Sequence, residues 1–179
     1  MKDIVVVKDK VFETYMLETE LENIVSNVAK KISNDLRNEN PLFLATLNGS
    51  FIFASDLIRK IDFDAEISFI KLASYSGTES TGNVKQLIGL NENIENRIVV
   101  VIEDIVDTGI SMEAMIEELQ KHNPKKIVLC TLLFKPGKFV KDYAIDYIGK
   151  SIDDDFIVGY GLDYEGFGRN LSKIYKIKE

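Results

Sequence analysis

The 179-residue chain has no tryptophan, three prolines, one cysteine and one histidine. A lone cysteine, Cys130, excludes an internal disulfide. Its setting, Ile127-Val128-Leu129-Cys130-Thr131, reads as a small apolar core residue. A lone histidine, His122, excludes a histidine-rich metal site. It follows Lys121 and precedes Asn123-Pro124, so it reads as a solvated residue at a helix C-terminus, where a cation is favoured. No apolar run approaches the roughly 18 residues that span a bilayer, so no membrane partner is expected. The first residues, Met1 to Lys8, do not have the layout of an export signal. With one thiol and no such signal, the expected setting is a reducing cytoplasm. Basic residues are also scarce: 22 against 29 acidic ones, a net charge of −7. That balance argues against nucleic acid as a partner, because phosphate-backbone binding needs a basic face.

What the chain does contain is a core. Hydrophobic residues make up 45% of it, with no linker, repeat or low-complexity segment, so residues 1–179 are expected to form a single domain. Ile4–Val7 and Val11–Met16 read as short strands. Thr19 with Glu22 fits a capping box opening a helix. Leu21, Ile24, Val25, Val28, Ile32 and Leu36 keep helical spacing behind it. Pro41 ends that pattern, and Leu42–Leu47 reads as a buried strand. Asn48-Gly49 marks a turn, and Ser50 is placed to cap a helix carrying Phe51, Ile52, Ala54, Leu57 and Ile58. Phe63–Leu72 alternates as a strand, with Ala65, Ile67 and Phe69 on one face. A polar loop over 76–83 leads to a returning strand, Val84–Leu90. Further strands are expected at 98–102, Lys126–Phe134, Ile145–Gly149 and Phe156–Tyr160, with a helix at about Ser111–Lys121. Strand–helix–strand alternation from Leu42 to Phe134 implies an α/β fold with a mostly parallel sheet.

The richest stretch is Ile98-Val99-Val100-Val101-Ile102-Glu103-Asp104-Ile105-Val106-Asp107-Thr108-Gly109-Ile110-Ser111. A buried strand delivers acids and a small turn to one sheet edge, where open α/β proteins bind ligands. Between strand and helix, Thr108, Gly109, Ile110 and Ser111 offer free N–H groups, two hydroxyls and the positive end of a helix dipole, which together suit a phosphate. Three nearby carboxylates would repel that phosphate unless something separates them. Sugar hydroxyls donating to Glu103 and Asp104 do so, and a Mg²⁺ ion would as well. The motif therefore points to a phosphorylated sugar, with Asp107 nearer the reacting end. The plain structural alternative is an acidic turn that merely stabilises a helix start.

Two later segments supply a second ligand. Lys135, in Leu132-Leu133-Phe134-Lys135-Pro136, stands at the end of a buried strand and offers donors only, which favours a base carrying a carbonyl oxygen. In Asp155-Phe156-Ile157-Val158-Gly159-Tyr160-Gly161-Leu162-Asp163, Phe156 can stack on a planar base and Asp163 can face a metal or the base edge. Arg169 offers a fork for pyrophosphate oxygens.

The stretch from Val101 to Gly109 resembles the phosphoribosyl-pyrophosphate (PRPP) motif of type I phosphoribosyltransferases. With Lys135, Phe156 and Asp163 it resembles, from about Leu42 to Leu171, the hypoxanthine(-guanine) phosphoribosyltransferases. That resemblance implies a parallel sheet flanked by helices, with a small hood built from the chain termini. It implies transfer of 5-phosphoribosyl from PRPP to N9 of a 6-oxopurine, with Mg²⁺ as cofactor and a homodimeric or homotetrameric assembly. In it, Glu103 and Asp104 hold the ribose, residues 107–111 hold the 5′-phosphate, and Asp107 is the general acid/base near purine N7. Lys135 binds the purine 6-oxygen, Phe156 stacks, and backbone groups of Ile157 and Asp163 reach the base edge. Glu103, Asp104 and Asp163 are the implied Mg²⁺ residues. Leu47, Asn48, Gly49 and Arg169 are the implied pyrophosphate contacts, and Ser74 and Tyr75 begin the implied mobile lid. The turn at 47–50 matches the family's pyrophosphate loop, which can hold a non-proline cis peptide. It departs from the family in one respect: Asn48 stands where lysine is common, removing a positive charge. Three other readings remain open: a PRPP-responsive regulator on the same fold, a relative preferring xanthine or a pyrimidine, and a generic phosphate-binding domain.

Overall fold

A computed structural model describes residues 3–75, 84–88 and 90–178. The strands are β1 (Ile4–Val7), β2 (Lys10–Met16), β3 (Leu42–Thr46), β4 (Glu66–Tyr75), β5 (Val84–Ile88), β6 (Ile98–Val106), β7 (Lys126–Phe134), β8 (Tyr147–Ser151), β9 (Ile157–Val158) and β10 (Ile174–Ile177). The helices are α1 (Glu18–Leu36), α2 (Phe51–Ile58) and α3 (Ile110–Gln120).

The larger sheet runs β5-β4-β3-β6-β7-β8. Its strands β4, β3, β6, β7 and β8 are parallel, and β5 pairs antiparallel with β4 at one edge. The central strands are mostly apolar because both faces are covered. Phe43, Ala45, Val100, Ile102, Val128 and Cys130 face one side, against Leu21, Val25, Val28 and Ile32 of α1 and Phe53 and Leu57 of α2. Leu42, Leu44, Val99, Val101 and Leu129 face the other, against Met112, Met115 and Leu119 of α3. Each fully buried aliphatic side chain contributes about 1.5–3 kcal/mol, so these two layers hold the sheet ends in place. A second, antiparallel sheet of order β1-β2-β10-β9 forms a hood from the two ends of the chain, around Val7, Phe12, Val158 and Tyr175. The expected α/β fold with a parallel sheet and terminal hood is the one observed.

Local details differ. α1 begins at Glu18 with Leu17 as its cap and no side-chain cap hydrogen bond, so Thr19 does not form the expected capping box. Only one residue separates β2 from the helix, which places Thr19 inside the first turn. Glu18 and Glu20 favour the dipole there instead. Ser50 precedes α2 but does not cap it: its hydroxyl donates back to the Thr46 carbonyl at 2.6 Å. Ala65, just before β4, and Ile67 pack against the core as expected, whereas Phe69 is 41% exposed and its neighbour Ile70, on the opposite face, is fully buried. The covering layer reaches only the first part of that face. β10 had no counterpart in the expected strands. His122 is exposed and Cys130 is fully buried, both as expected. Ser74 and Tyr75 end β4 in the backbone; their side chains and the loop at 76–83 lie outside the described residues. Among the described residues no helix is long and apolar enough to cross a membrane.

Candidate active site

The C-terminal ends of the neighbouring strands β3, β6 and β7 lie side by side and carry the 47–49 turn, Glu103 to Ser111 and Lys135, whereas Phe156, Ile157, Asp163 and Arg169 come from β9 and the segments flanking it. β6 does not stop at the acids. It runs through Glu103 and Asp104 to Val106, in register with Thr131–Phe134 of β7, so both carboxylates sit on a rigid strand. Thr46, the last residue of β3, donates from its hydroxyl to Glu103 Oε2 and lies 3.0 Å from the Ile102 carbonyl. Burial, and next the neighbouring Asp104 carboxylate, hold Glu103 well above the usual carboxylate range. Burial also raises Asp104, while the Ile105 and Asp104 N–H groups and Arg169 pull it back. Two acids are therefore held side by side with little compensating charge.

The turn after β3 closes over Asp104. The Leu47–Asn48 peptide is cis, as the resemblance implied. A Cβ added at Gly49 would lie 1.7 Å from Asp104 Oδ2, so only glycine lets this turn approach the acid so closely. The 159–163 loop meets the turn from the other side, where Gly161 abuts the Gly49 carbonyl. Tyr160 anchors that loop, donating its hydroxyl to Asp56 of α2 at 2.6 Å. Arg169 donates to the Gly161 carbonyl at 2.7 Å and pairs with Asp163 at 2.6 Å. Asp163 also accepts from the Gly166 N–H at 2.6 Å. Of the three acids expected at a metal, Glu103 and Asp104 are adjacent, whereas Asp163 is engaged by Arg169. Among the described residues no group of three or more His, Cys, Asp or Glu is arranged to hold a metal ion.

Beyond β6, Asp107, Thr108, Gly109 and Ser111 line a cavity of about 110 Å³, with Glu103 on its wall. It is ample for one phosphate group and small for a nucleotide. α3 starts at Ile110 directly behind it, so N–H groups without intrahelical acceptors border the space. The turn is braced from outside. Tyr143 donates to the Gly109 carbonyl at 2.7 Å, and the Val140 N–H donates to the Thr108 carbonyl at 3.3 Å. Tyr143→Phe is expected to cost about 0.5–1.5 kcal/mol, the net worth of one such hydrogen bond. Thermal unfolding checks this, and an unchanged melting temperature would show that the brace carries no load.

Lys135 follows β7, is 7% exposed, and donates to the Asp155 carbonyl at 2.9 Å. Its ammonium lies 3.2 Å from Asp154 and 4.0 Å from Asp107. Lys138 lies 2.7 Å from the same Asp154 oxygen and 4.0 Å from Asp107. Asp107 Oδ1 is buried and has no hydrogen-bond partner. Phe156 is 43% exposed, with Tyr164 edge-on to it at 5.7 Å. Ile157 is buried in the hood. Residues that sequence reasoning missed are Thr46, Asp154, Lys138, Tyr160 and Gly161. None carries a local pattern; each matters through a neighbour distant in the chain. A larger cavity, about 580 Å³, lies elsewhere, between α1, α2 and the 170–172 segment, and its charged lining mixes Glu18, Glu22 and Asp56 with Arg59 and Lys60.

Comparison with known proteins agrees with this geometry. The family profile for the phosphoribosyl transferase domain matches residues 16–165. A hypoxanthine-guanine phosphoribosyltransferase of Staphylococcus aureus is 38% identical over 167 residues, 93% of each chain. That of Staphylococcus epidermidis is 40% identical over 162 residues, 90% of each chain. The crystal structure of a hypoxanthine-guanine phosphoribosyltransferase from Bacillus anthracis superposes with a TM-score of 0.82 at 37% identity, over 92% of this chain and 98% of that one.

Proposed function

Because the chain belongs to the phosphoribosyl transferase domain family, among the hypoxanthine-guanine phosphoribosyltransferases, we propose that this sheet end binds PRPP and a 6-oxopurine and joins ribose C1 to purine N9. The activity is hypoxanthine-guanine phosphoribosyl transfer, a purine-salvage reaction, giving IMP or GMP and pyrophosphate. One observation carries the assignment of residues. A buried lysine, an aspartate oxygen without a partner and an under-compensated acid pair meet at one rim, beside a phosphate-sized cavity.

The roles follow from chemistry. The turn at 107–111 holds the 5′-phosphate on its N–H groups and hydroxyls. Glu103 and Asp104 accept hydrogen bonds from the ribose 2′- and 3′-hydroxyls and stabilise positive charge growing at C1. Lys135 donates to the purine 6-oxygen, and Phe156 offers an exposed ring face worth roughly 1–3 kcal/mol of stacking. Ile157 and Asp163 supply backbone groups to the base edge. Asp107 Oδ1 holds or takes a proton at N7. Backbone N–H groups at Leu47, Asn48 and Gly49 receive pyrophosphate, and Arg169 joins them by giving up its hold on Asp163. Freed in that way, Asp163 is also available to a metal. Mg²⁺ fits the Glu103–Asp104 pair, two adjacent carboxylates whose proton affinity burial raises and a bound cation would lower. When bound there, it would neutralise charge on the departing pyrophosphate. Residues 1–179 act as one phosphoribosyltransferase domain in this reading. A buried, unpaired Cys130 suits a cytoplasmic setting.

Pyrophosphate release from PRPP and Mg²⁺ with hypoxanthine, guanine, xanthine or adenine tests the reading. Turnover of the two named bases is expected; turnover confined to adenine would reject it. Lys135→Ala is expected to lower discrimination between hypoxanthine and adenine by about ten-fold, the worth of one charge-assisted hydrogen bond. Unchanged discrimination counts against Lys135. Self-association as a homodimer or homotetramer is also proposed, since Leu47, Phe51 and Phe69 are left 39%, 41% and 41% exposed. Sedimentation velocity showing only monomer at micromolar concentration would reject it.

A further inference from the structure

Asp107, Lys135, Lys138 and Asp154 form an alternating ring of charges that the reaction as described uses only in part. Both ammonium groups lean toward Asp154, at 3.2 Å for Lys135 and 2.7 Å for Lys138. Each stands 4.0 Å from Asp107, near enough to act on it through space and too far for a hydrogen bond. Asp154 thus takes up the donors that would otherwise close onto Asp107. Its own carboxyl is held low by Lys138 and then Lys135. Asp154 lies in the connection before Phe156, on the rim, and its side chain is 54% exposed. The exposed Lys138–Asp154 pair contributes next to nothing to stability, whereas Asp154 also holds the ammonium of the buried Lys135 at the rim of the site.

We propose that Asp154, with Lys138, is a positioning pair that aims Lys135 at the purine carbonyl and keeps it off Asp107, leaving Asp107 an unpaired oxygen for the purine ring. The proposal rests on the purine and proton-transfer roles given above to Lys135 and Asp107. Without Asp154, two ammonium groups face a single carboxylate, and both close on Asp107. Asp107 then has ammonium groups in place of an open oxygen, and Lys135 leaves the purine site.

Asp154→Asn is expected to lower kcat and raise the KM for hypoxanthine, each roughly ten-fold, the scale of one charge-assisted hydrogen bond, while the KM for PRPP stays unchanged. Asp154→Glu should restore most of both. Asp154→Asn combined with Lys138→Met should recover part of kcat, because the surplus cation is gone. A merely structural pair predicts no change in kcat or in either KM. Asp154→Asn within two-fold of wild type on both parameters overturns the proposal, as does a double variant worse than the single one. Lys135→Ala in the same assay separates the two levels. If it leaves the hypoxanthine KM unchanged, the purine role of Lys135 fails and the positioning role falls with it. If it raises that KM while Asp154→Asn does not, only the positioning role fails.

Discussion

Asp107→Asn is expected to lower turnover by about 10²–10⁴-fold, the usual worth of a positioned general acid or base, and to leave the KM for PRPP within a few-fold of wild type. The two readouts separate because Asp107 stands at a junction. Its backbone belongs to the 107–111 turn proposed to hold the phosphate, and asparagine preserves that backbone. Its Oδ1 is buried without a partner, while Oδ2 has two ammonium groups at 4.0 Å. Asparagine keeps the shape and loses the proton affinity. It also leaves Lys135 and Lys138 with one carboxylate between them, so the loss of negative charge is felt by the purine lysine as well. Steady-state kinetics with each substrate varied in turn decides the matter. Wild-type turnover would remove Asp107 from proton transfer, and a PRPP KM raised in step with the fall in kcat would make it a phosphate residue only.

The second large effect is expected at a residue with no functional side chain. Gly161 has φ +99°, and a Cβ there would lie 2.1 Å from the Gly49 carbonyl oxygen. Neither partner can yield by changing a rotamer, since the obstacle is backbone. Gly161→Ala must therefore push the 159–163 loop away from the 47–50 turn, separating the purine and pyrophosphate sides of the site. A displacement of about 1 Å at a reacting site costs on the order of 100-fold, and that loss is expected in kcat/KM for PRPP. The sparsely allowed backbone adds about 1–3 kcal/mol of destabilisation, a fall of several degrees in Tm. Gly166→Ala is the matched control. Gly166 also has positive φ, +86°, but nothing lies within 4 Å of its added Cβ. It should lose comparable stability and keep most of its activity. Equal losses of activity in the two variants would mean that backbone strain alone, and not contact between the loops, explains the effect.

Much of this was legible in the residues themselves. The runs at Leu42–Thr46, Ile98–Ile102 and Lys126–Phe134 announce buried parallel strands because apolar residues follow one another without alternation. Glu103, Asp104 and the Asp107–Ser111 turn announce a sugar-phosphate site because acids, small residues and a helix start adjoin in a few consecutive positions. Lys135 was legible because a lysine that ends a buried strand has no ordinary reason to be there. The helix caps were less legible: a Thr19–Glu22 spacing satisfies the capping pattern whether or not the preceding strand leaves room for it. β10 was missed because Ile174–Ile177 is short and gains its stability from β2 and β9, which are remote in the chain.

By itself, then, the sequence determined the fold class and the small turn at 107–111 with the acids before it, since these depend on periodicities and neighbours within a dozen positions. Only the tertiary structure decided how the site is held. The Gly161–Gly49 contact, the Tyr160–Asp56 anchor, the Thr46–Glu103 hydrogen bond and the draw of Asp154 on Lys135 join positions 19 to 112 residues apart. Local pattern cannot encode such pairings, because what makes them strong is exclusion of water and a distance of a few ångströms, and both exist only once the sheet, its helices and the hood have packed.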